Sequence, residues 1–327
     1  MLTLRDILIN FTLFDILSRL NLIPVQVDIK AGKIRTQPSK LRFFMWKLVL
    51  GAFLLRILFA IVILPVLLVY SRDRSLIFDI PFLLVVSLGG IITVYVLTSA
   101  FISLPGCTEN LANSTLEGYQ RHQSKTSKKT IQEVVAVWLP FNAFPISLVH
   151  ACKLVADPQA SYFLYTWLQT SWQTPLAFTL CIVMDMYLVM QALSCLAFIG
   201  FFVILSFEKW EYQVKRGIQV VQIRRGTMFI PAQKLLTALQ TCRCLVLSVQ
   251  LYNTAFGNSM YLFKLASITV TVFFISFSIL AIHASLFILP AVMHLFLGIE
   301  LIVAYVVILD KAFSVPGLIR QYKSKIL

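Results

Sequence analysis

Three long apolar runs, residues 48–70, 176–207 and 284–309, settle the fold class before anything else is counted. Each approaches or exceeds the roughly 20 residues that, at about 1.5 Å of rise per residue, cross a hydrocarbon layer about 30 Å thick. None alternates apolar and polar residues with the period of two that an outer-membrane barrel requires. Of the 327 residues, 59% are hydrophobic and only 13% charged, and the mean hydropathy is +0.85. Soluble domains carry about a quarter charged residues, so a water-soluble globule is excluded. The sequence specifies an all-α, polytopic transmembrane helix bundle surrounded by a lipid bilayer.

Six segments qualify as spans, at about 43–70, 76–104, 131–152, 176–207, 259–281 and 284–309. Eight Lys or Arg residues lie before or at the start of the first span, four between spans two and three, seven between spans four and five, and four after span six. Only Arg72, Arg74 and Lys153 fall on the other side. By the positive-inside rule both termini are cytoplasmic, which divides the chain into an N-terminal segment 1–42, a transmembrane domain 43–309 and a C-terminal tail 310–327. The expected location is the plasma membrane, as a multi-pass protein. Residues 235–252 repeat apolar side chains at helical spacing around a single charge, Arg243. As a seventh span they would put the basic tail outside, so they read as a cytoplasmic amphipathic helix leading into span five. Span four continues its pattern toward Lys215 and is expected to project beyond the membrane. Pro140 and Pro145 should break span three, and Gly89 and Gly90 should loosen span two. The sequons at Asn10 and Asn113 fall on the inner side and should stay unmodified.

Several function classes drop out. The net charge of +14 is spread in short flanks of apolar runs and builds no single basic face, so nucleic acid is not a partner. The six cysteines show no paired CxxC spacing, only the lone pair Cys242 and Cys244, and no metal or other cofactor is implied. There is no P-loop, GxSxG, HExxH or acidic cluster, and no reading as an enzyme emerges.

Ionisable side chains inside spans are the strongest single-residue signals, because charge in the bilayer needs a partner, a cavity or an escape to the interface. Arg56, Asp185 and Glu300 each sit about nine or ten residues, roughly 14–15 Å, from a span end. An Arg56–Glu300 ion pair would neutralise two of them, with Asp185 the competing partner; such a pair serves equally as a fixed interhelical staple. Lys264 lies close enough to the end of span five to snorkel. A ligand pocket open to the outer face would draw on Tyr95, His150, Asp185 and Tyr187, beneath a roof of Tyr162, Tyr165 and Trp167, residues that also suit ordinary interface anchoring.

The arrangement resembles the arthropod gustatory and odorant receptors. The resemblance is carried by the inward N terminus, the loop QRHQSKTSKK at 120–129, the long fourth span, the segment LQTCRCLVLSVQLYNTAFGNSMYLF at 239–263 and IPVQVDIKAGKIRT at 23–36. It implies a chemosensory, ligand-gated cation channel subunit that binds a small, mostly apolar molecule and assembles as a homo- or hetero-tetramer. A TYxxxxxQF signature is missing, and the family's seventh, pore-lining helix is not among the 327 residues, so ligand binding is expected of this polypeptide and conduction by it alone is not. G-protein-coupled receptors fit less well, with no DRY or NPxxY sequence present. The alternative is a small transporter, channel or accessory protein built on Arg56, Asp185 and Glu300, and a membrane scaffold is the third reading.

Overall fold

The structure, a computed structural model, describes residues 4–36, 39–70, 79–121, 130–160, 163–225, 232–283 and 288–326. It contains nine α-helices among the described residues: α1 (Leu4–Arg19), α2 (Lys40–Tyr70), α3 (Asp79–Thr98), α4 (Pro105–Arg121), α5 (Ile131–Trp138), α6 (Ala143–Ala156), α7 (Pro175–Arg225), α8 (Ala232–His283) and α9 (Ile288–Ile326). Five stretches are long and apolar enough to cross a membrane: Lys40–Val66, Leu83–Ser103, Ile131–Cys152, Pro175–Ile218 and Leu236–Leu280. The chain is a helical, multi-pass membrane bundle. The expected sixth span falls on α9, where the described apolar stretch is the shorter His294–Val303.

The bundle is organised around α7. Its most apolar stretch is 72% buried, against 22–44% for the other four, so α7 faces protein where its neighbours face lipid. At 51 residues it is roughly 76 Å long, more than twice a hydrocarbon thickness. Its extension past Lys215 agrees with the sequence pattern. Helix α8, with 52 residues, behaves the same way: residues 235–252, expected as a separate amphipathic helix, are continuous with span five. Span three is broken as its prolines foretold, with a 3-10 turn at Leu139–Asn142 between α5 and α6. Gly200 of α7 gives Leu139 the space to approach.

The all-α expectation needs one amendment. Residues within the N-terminal segment form an antiparallel hairpin, β1 (Val25–Asp28) with β2 (Lys33–Thr36), paired Val25 to Thr36 and Asp28 to Lys33. Its turn is fixed by the Asp28 carboxylate accepting from Ala31 N–H and by Gly32 at φ 60°. The exposed edge of β2 is sealed by α4: Asn113 both accepts from Ile34 N–H (2.8 Å) and donates to the Ile34 carbonyl (2.9 Å), and Glu109 accepts from Thr36 N–H.

The segment 1–42 thus joins the bundle core. Phe14 of α1 lies edge-on to Phe198 and Phe201 of α7 at 5.1 and 5.4 Å. Helix α1 ends in a Schellman motif with Asn21 at φ 58°: Leu22 N–H bonds the Leu17 carbonyl and Asn21 N–H the Ser18 carbonyl. The tail at 310–327 is likewise more than an appendage. Helix α9 continues through it to Ile326, and Val315, Ile319 and Tyr322 bury one face. Tyr322 fills a notch at Gly217, where a Cβ would stand 2.6 Å from its ring, and its hydroxyl donates to the Ala238 carbonyl at 3.3 Å.

Candidate functional site: a buried ion pair and a cavity beside the α3 π-turn

Helices α2 and α7 run antiparallel, and their seam sets the partner of Arg56. Arg56 Nε meets Asp185 Oδ1 at 3.2 Å, with side-chain exposures of 9% and 2%. The seam is held in register two turns away, where Gln191 Nε2 donates to the Trp46 carbonyl at 3.1 Å. Of the two partners expected for Arg56, Glu300 and Asp185, the described one is Asp185, the competitor, because α2 packs on α7. The side chain of Glu300, on α9, lies outside the described residues. The second carboxylate oxygen of Asp185 is buried with no hydrogen-bond partner. The guanidinium also lies over the ring of Phe59, 5.6 Å from its centroid, one turn further along α2. Phe59 in turn meets Trp167 edge-on at 6.2 Å. Trp167, Phe59, Arg56 and Asp185 therefore form one string from the loop after α6 into the bundle.

The remaining predicted lining residues have settings of their own. Tyr165 packs in its 3-10 turn against Phe163 and Phe178, at 5.9 and 5.1 Å, within a small core that includes Ala60, Ile63, Leu83 and Leu154. Tyr162 lies outside the described residues. His150 is on α6, which packs on α7. The hydroxyl of Tyr187 is used internally: it donates to the Leu20 carbonyl at 3.1 Å. Together with Cys195, whose thiol donates to the Leu22 carbonyl, and Arg42, which donates to the carbonyls of Ser18 and Arg19, it satisfies the carbonyls left over where α1 ends. Tyr187, Gln191 and Cys195 recur every four residues on α7, a polar stripe inside an apolar helix.

Tyr95 has a different setting. It lines a cavity of about 580 Å³ between α2, α3 and α8, walled by Leu54, Ile91, Val94, Thr98, Ser99, Ser103, Leu104, Thr254, Ala255 and Asn258. One wall is a π-helical turn at Ser99–Ser103, closed by Leu104 N–H bonding the Ser99 carbonyl at 2.9 Å. Pro105 explains why the ladder stops there: it has no N–H for the Ala100 carbonyl, and Thr108 Oγ1 takes that place at 2.6 Å. π-turns gather at functional sites because the extra residue re-aims the side chains around it. Among the described residues, the Tyr95 hydroxyl and the Asn258 amide make no hydrogen bond, which leaves both available to an occupant. Sequence reasoning found Tyr95 and passed over the Thr98, Ser99 and Ser103 cluster and the Thr254 and Asn258 pair. Their signal was a run of hydroxyls before a proline and a polar pair four residues apart on one helix face.

Among the described residues, no group of three His, Cys, Asp or Glu side chains is placed to hold a metal ion. No known family model, curated protein or solved structure matches the chain.

Proposed function

We propose that the chain is a chemoreceptor-like membrane protein, a subunit of a ligand-gated channel, whose α2/α3/α8 cavity binds a small, mostly apolar molecule. The observation that carries this reading is the cavity. Its volume of about 580 Å³ falls in the range of small-molecule sites, roughly 300–1,000 Å³, and it sets hydroxyl and amide groups into an apolar wall. Leu54, Ile91 and Tyr95 are well exposed on the bundle's outer surface, so an apolar molecule dissolved in the membrane has lateral access. Placing both termini in the cytoplasm of a plasma-membrane protein is supported by the partition of the basic residues.

The test is ligand-dependent stabilisation of the full chain in lipid nanodiscs across a panel of volatile and bitter small molecules. A hit is expected to lose roughly tenfold in affinity on Tyr95→Ala, and Ala255→Leu, which fills the cavity, should abolish it. Stabilisation that survives both changes would place the binding elsewhere. A second reading is favoured by one observation, the Asp185 oxygen buried without a partner beside Arg56: an ion-coupled transporter using that pair. It requires Asp185→Asn to end transport while leaving the Tyr95 cavity able to bind.

A further inference from the structure

The cavity beside Tyr95 changes character along its length. On α3 its wall passes from Ile91 and Val94 through Tyr95 to Thr98, Ser99 and Ser103. Helix α8 sets Thr254 beside the polar end, at the height fixed by Ser99 donating to the Ala255 carbonyl at 3.4 Å, with Asn258 one turn on. We propose that the occupant is an uncharged, single-chain membrane amphiphile, with its hydroxyl or amide head at the π-turn and its chain toward the bilayer interior. The proposal rests on the reading of this cavity as a ligand site and names the class of ligand.

Two contacts between α2 and α3 give the orientation. Trp46 meets Phe101 of the π-turn edge-on at 5.7 Å, at the end of α2 that carries the exposed Lys40 and Lys47. Basic side chains beside an apolar span mark the membrane surface. At the other contact Gly90 makes room for Ile57, roughly three turns, about 16 Å, further along α2. The hydroxyl cluster therefore lies near the surface, and the Ile91 end lies near the middle of the bilayer. Polar and apolar walls follow one another in the order in which a lipid of that leaflet places its head and its chain.

The lining sets the head group. Among the described lining residues none is Lys, Arg, His, Asp or Glu, so a charged head would enter without a counter-ion. Ser99 and Thr254 are engaged with the carbonyls of Ala255 and Gln250. Tyr95, Thr98, Ser103 and Asn258 make no side-chain hydrogen bond among the described residues. Hydroxyls and an amide both donate and accept, which suits a head that does the same, such as glycerol or an ethanolamide. Leu54 and Ile91 are exposed, so the apolar end opens sideways and a chain longer than the wall continues into the lipid.

The test uses the full chain in nanodiscs and three probes with the same alkyl chain length: monodecanoylglycerol, decane and decyl sulfate. Thermal unfolding is read against the mole fraction of probe in the bilayer. The glyceride is expected to raise the midpoint saturably, and the other two to bind at least about tenfold more weakly. Ser103→Ala and Asn258→Ala, both at exposed positions, should each weaken the glyceride about fivefold, the worth of one neutral hydrogen bond, and leave decane unchanged. A glyceride carrying a diazirine at its chain end should cross-link near Leu54 and Ile91. Cross-links near Ser103 and Asn258 instead, or equal binding of the three probes, would overturn the assignment. Ala255→Leu keeps the two readings apart. If it removes the binding of probes that the cavity fails to tell apart, the cavity remains a ligand site and only the ligand class falls. If the glyceride binds that variant as tightly as before, the reading of the cavity falls as well.

Discussion

Removing one member of the Arg56–Asp185 pair is expected to be far worse than removing both. At 3.2 Å and an effective dielectric of about 20, the attraction is about 5 kcal/mol. That attraction offsets the desolvation of two charges that are nearly out of contact with solvent, so the pair adds little net stability over two well-packed apolar side chains. Arg56→Leu leaves the Asp185 carboxylate, 2% exposed, without its counter-ion, at a cost of about 3–5 kcal/mol. Asp185→Leu takes away the carboxylate that the guanidinium meets, at a similar cost. The double change to Leu at both sites should recover all but about 1–2 kcal/mol. Thermal unfolding of the four proteins in nanodiscs closes the cycle, and a coupling of at least about 2 kcal/mol is expected. Additivity of the two single changes within about 0.5 kcal/mol would refute the reasoning. The same four proteins also separate the functional readings, since a receptor built on the Tyr95 cavity keeps ligand binding in the double variant and an ion-coupled transporter loses transport.

Two further perturbations address the docked termini. Gly217→Ala forces a Cβ to within 2.6 Å of the Tyr322 ring, so the end of α9 should lift, at a cost of about 1–3 kcal/mol, and become the first site of limited proteolysis. Burial raises the Tyr322 phenol above its ordinary value, with the charge of Cys242 a smaller contribution. The fold therefore favours the neutral phenol; this contribution is intact below about pH 10, is lost as pH rises through the raised value, and should vanish from alkaline unfolding curves in Tyr322→Phe. Tyr187→Phe should cost about 1 kcal/mol and speed hydrogen exchange at the end of α1, without altering affinity for a ligand of the Tyr95 cavity. An affinity change there would return Tyr187 to the binding site.

What was legible in the sequence follows from what periodicity and composition measure. Length and apolarity report the height of a helix in the bilayer, so spans one to four and the overrun of α7 could be read directly. Height also singled out Arg56, Asp185 and Glu300, but all three share one depth, and choosing a partner requires knowing which helices are neighbours. The α2–α7 seam, set by contacts such as Gln191 on the Trp46 carbonyl, is what brings Asp185 to Arg56. The apolar positions of α1 were visible as well, yet the carbonyls of Leu20 and Leu22 become a reason to dock only when Tyr187 and Cys195 are there to meet them.

The cavity walls were hardest to read for a related reason. In a membrane chain, side chains facing lipid and side chains facing protein are equally apolar, so the usual contrast between core and surface is lost. Aromatic residues stand out and drew attention to Tyr95, but also to Tyr165 and Trp167, which pack on Phe178 and Phe59. The more discriminating signal was backbone chemistry. Pro105 withholds an N–H, Thr108 supplies a substitute, and the π-turn between Ser99 and Ser103 opens beside Tyr95. Hydroxyl residues clustered ahead of a proline at the end of an apolar span therefore mark this cavity better than aromatic content does, because such a cluster can rebuild the hydrogen bonds that an irregular helix end leaves open within the membrane.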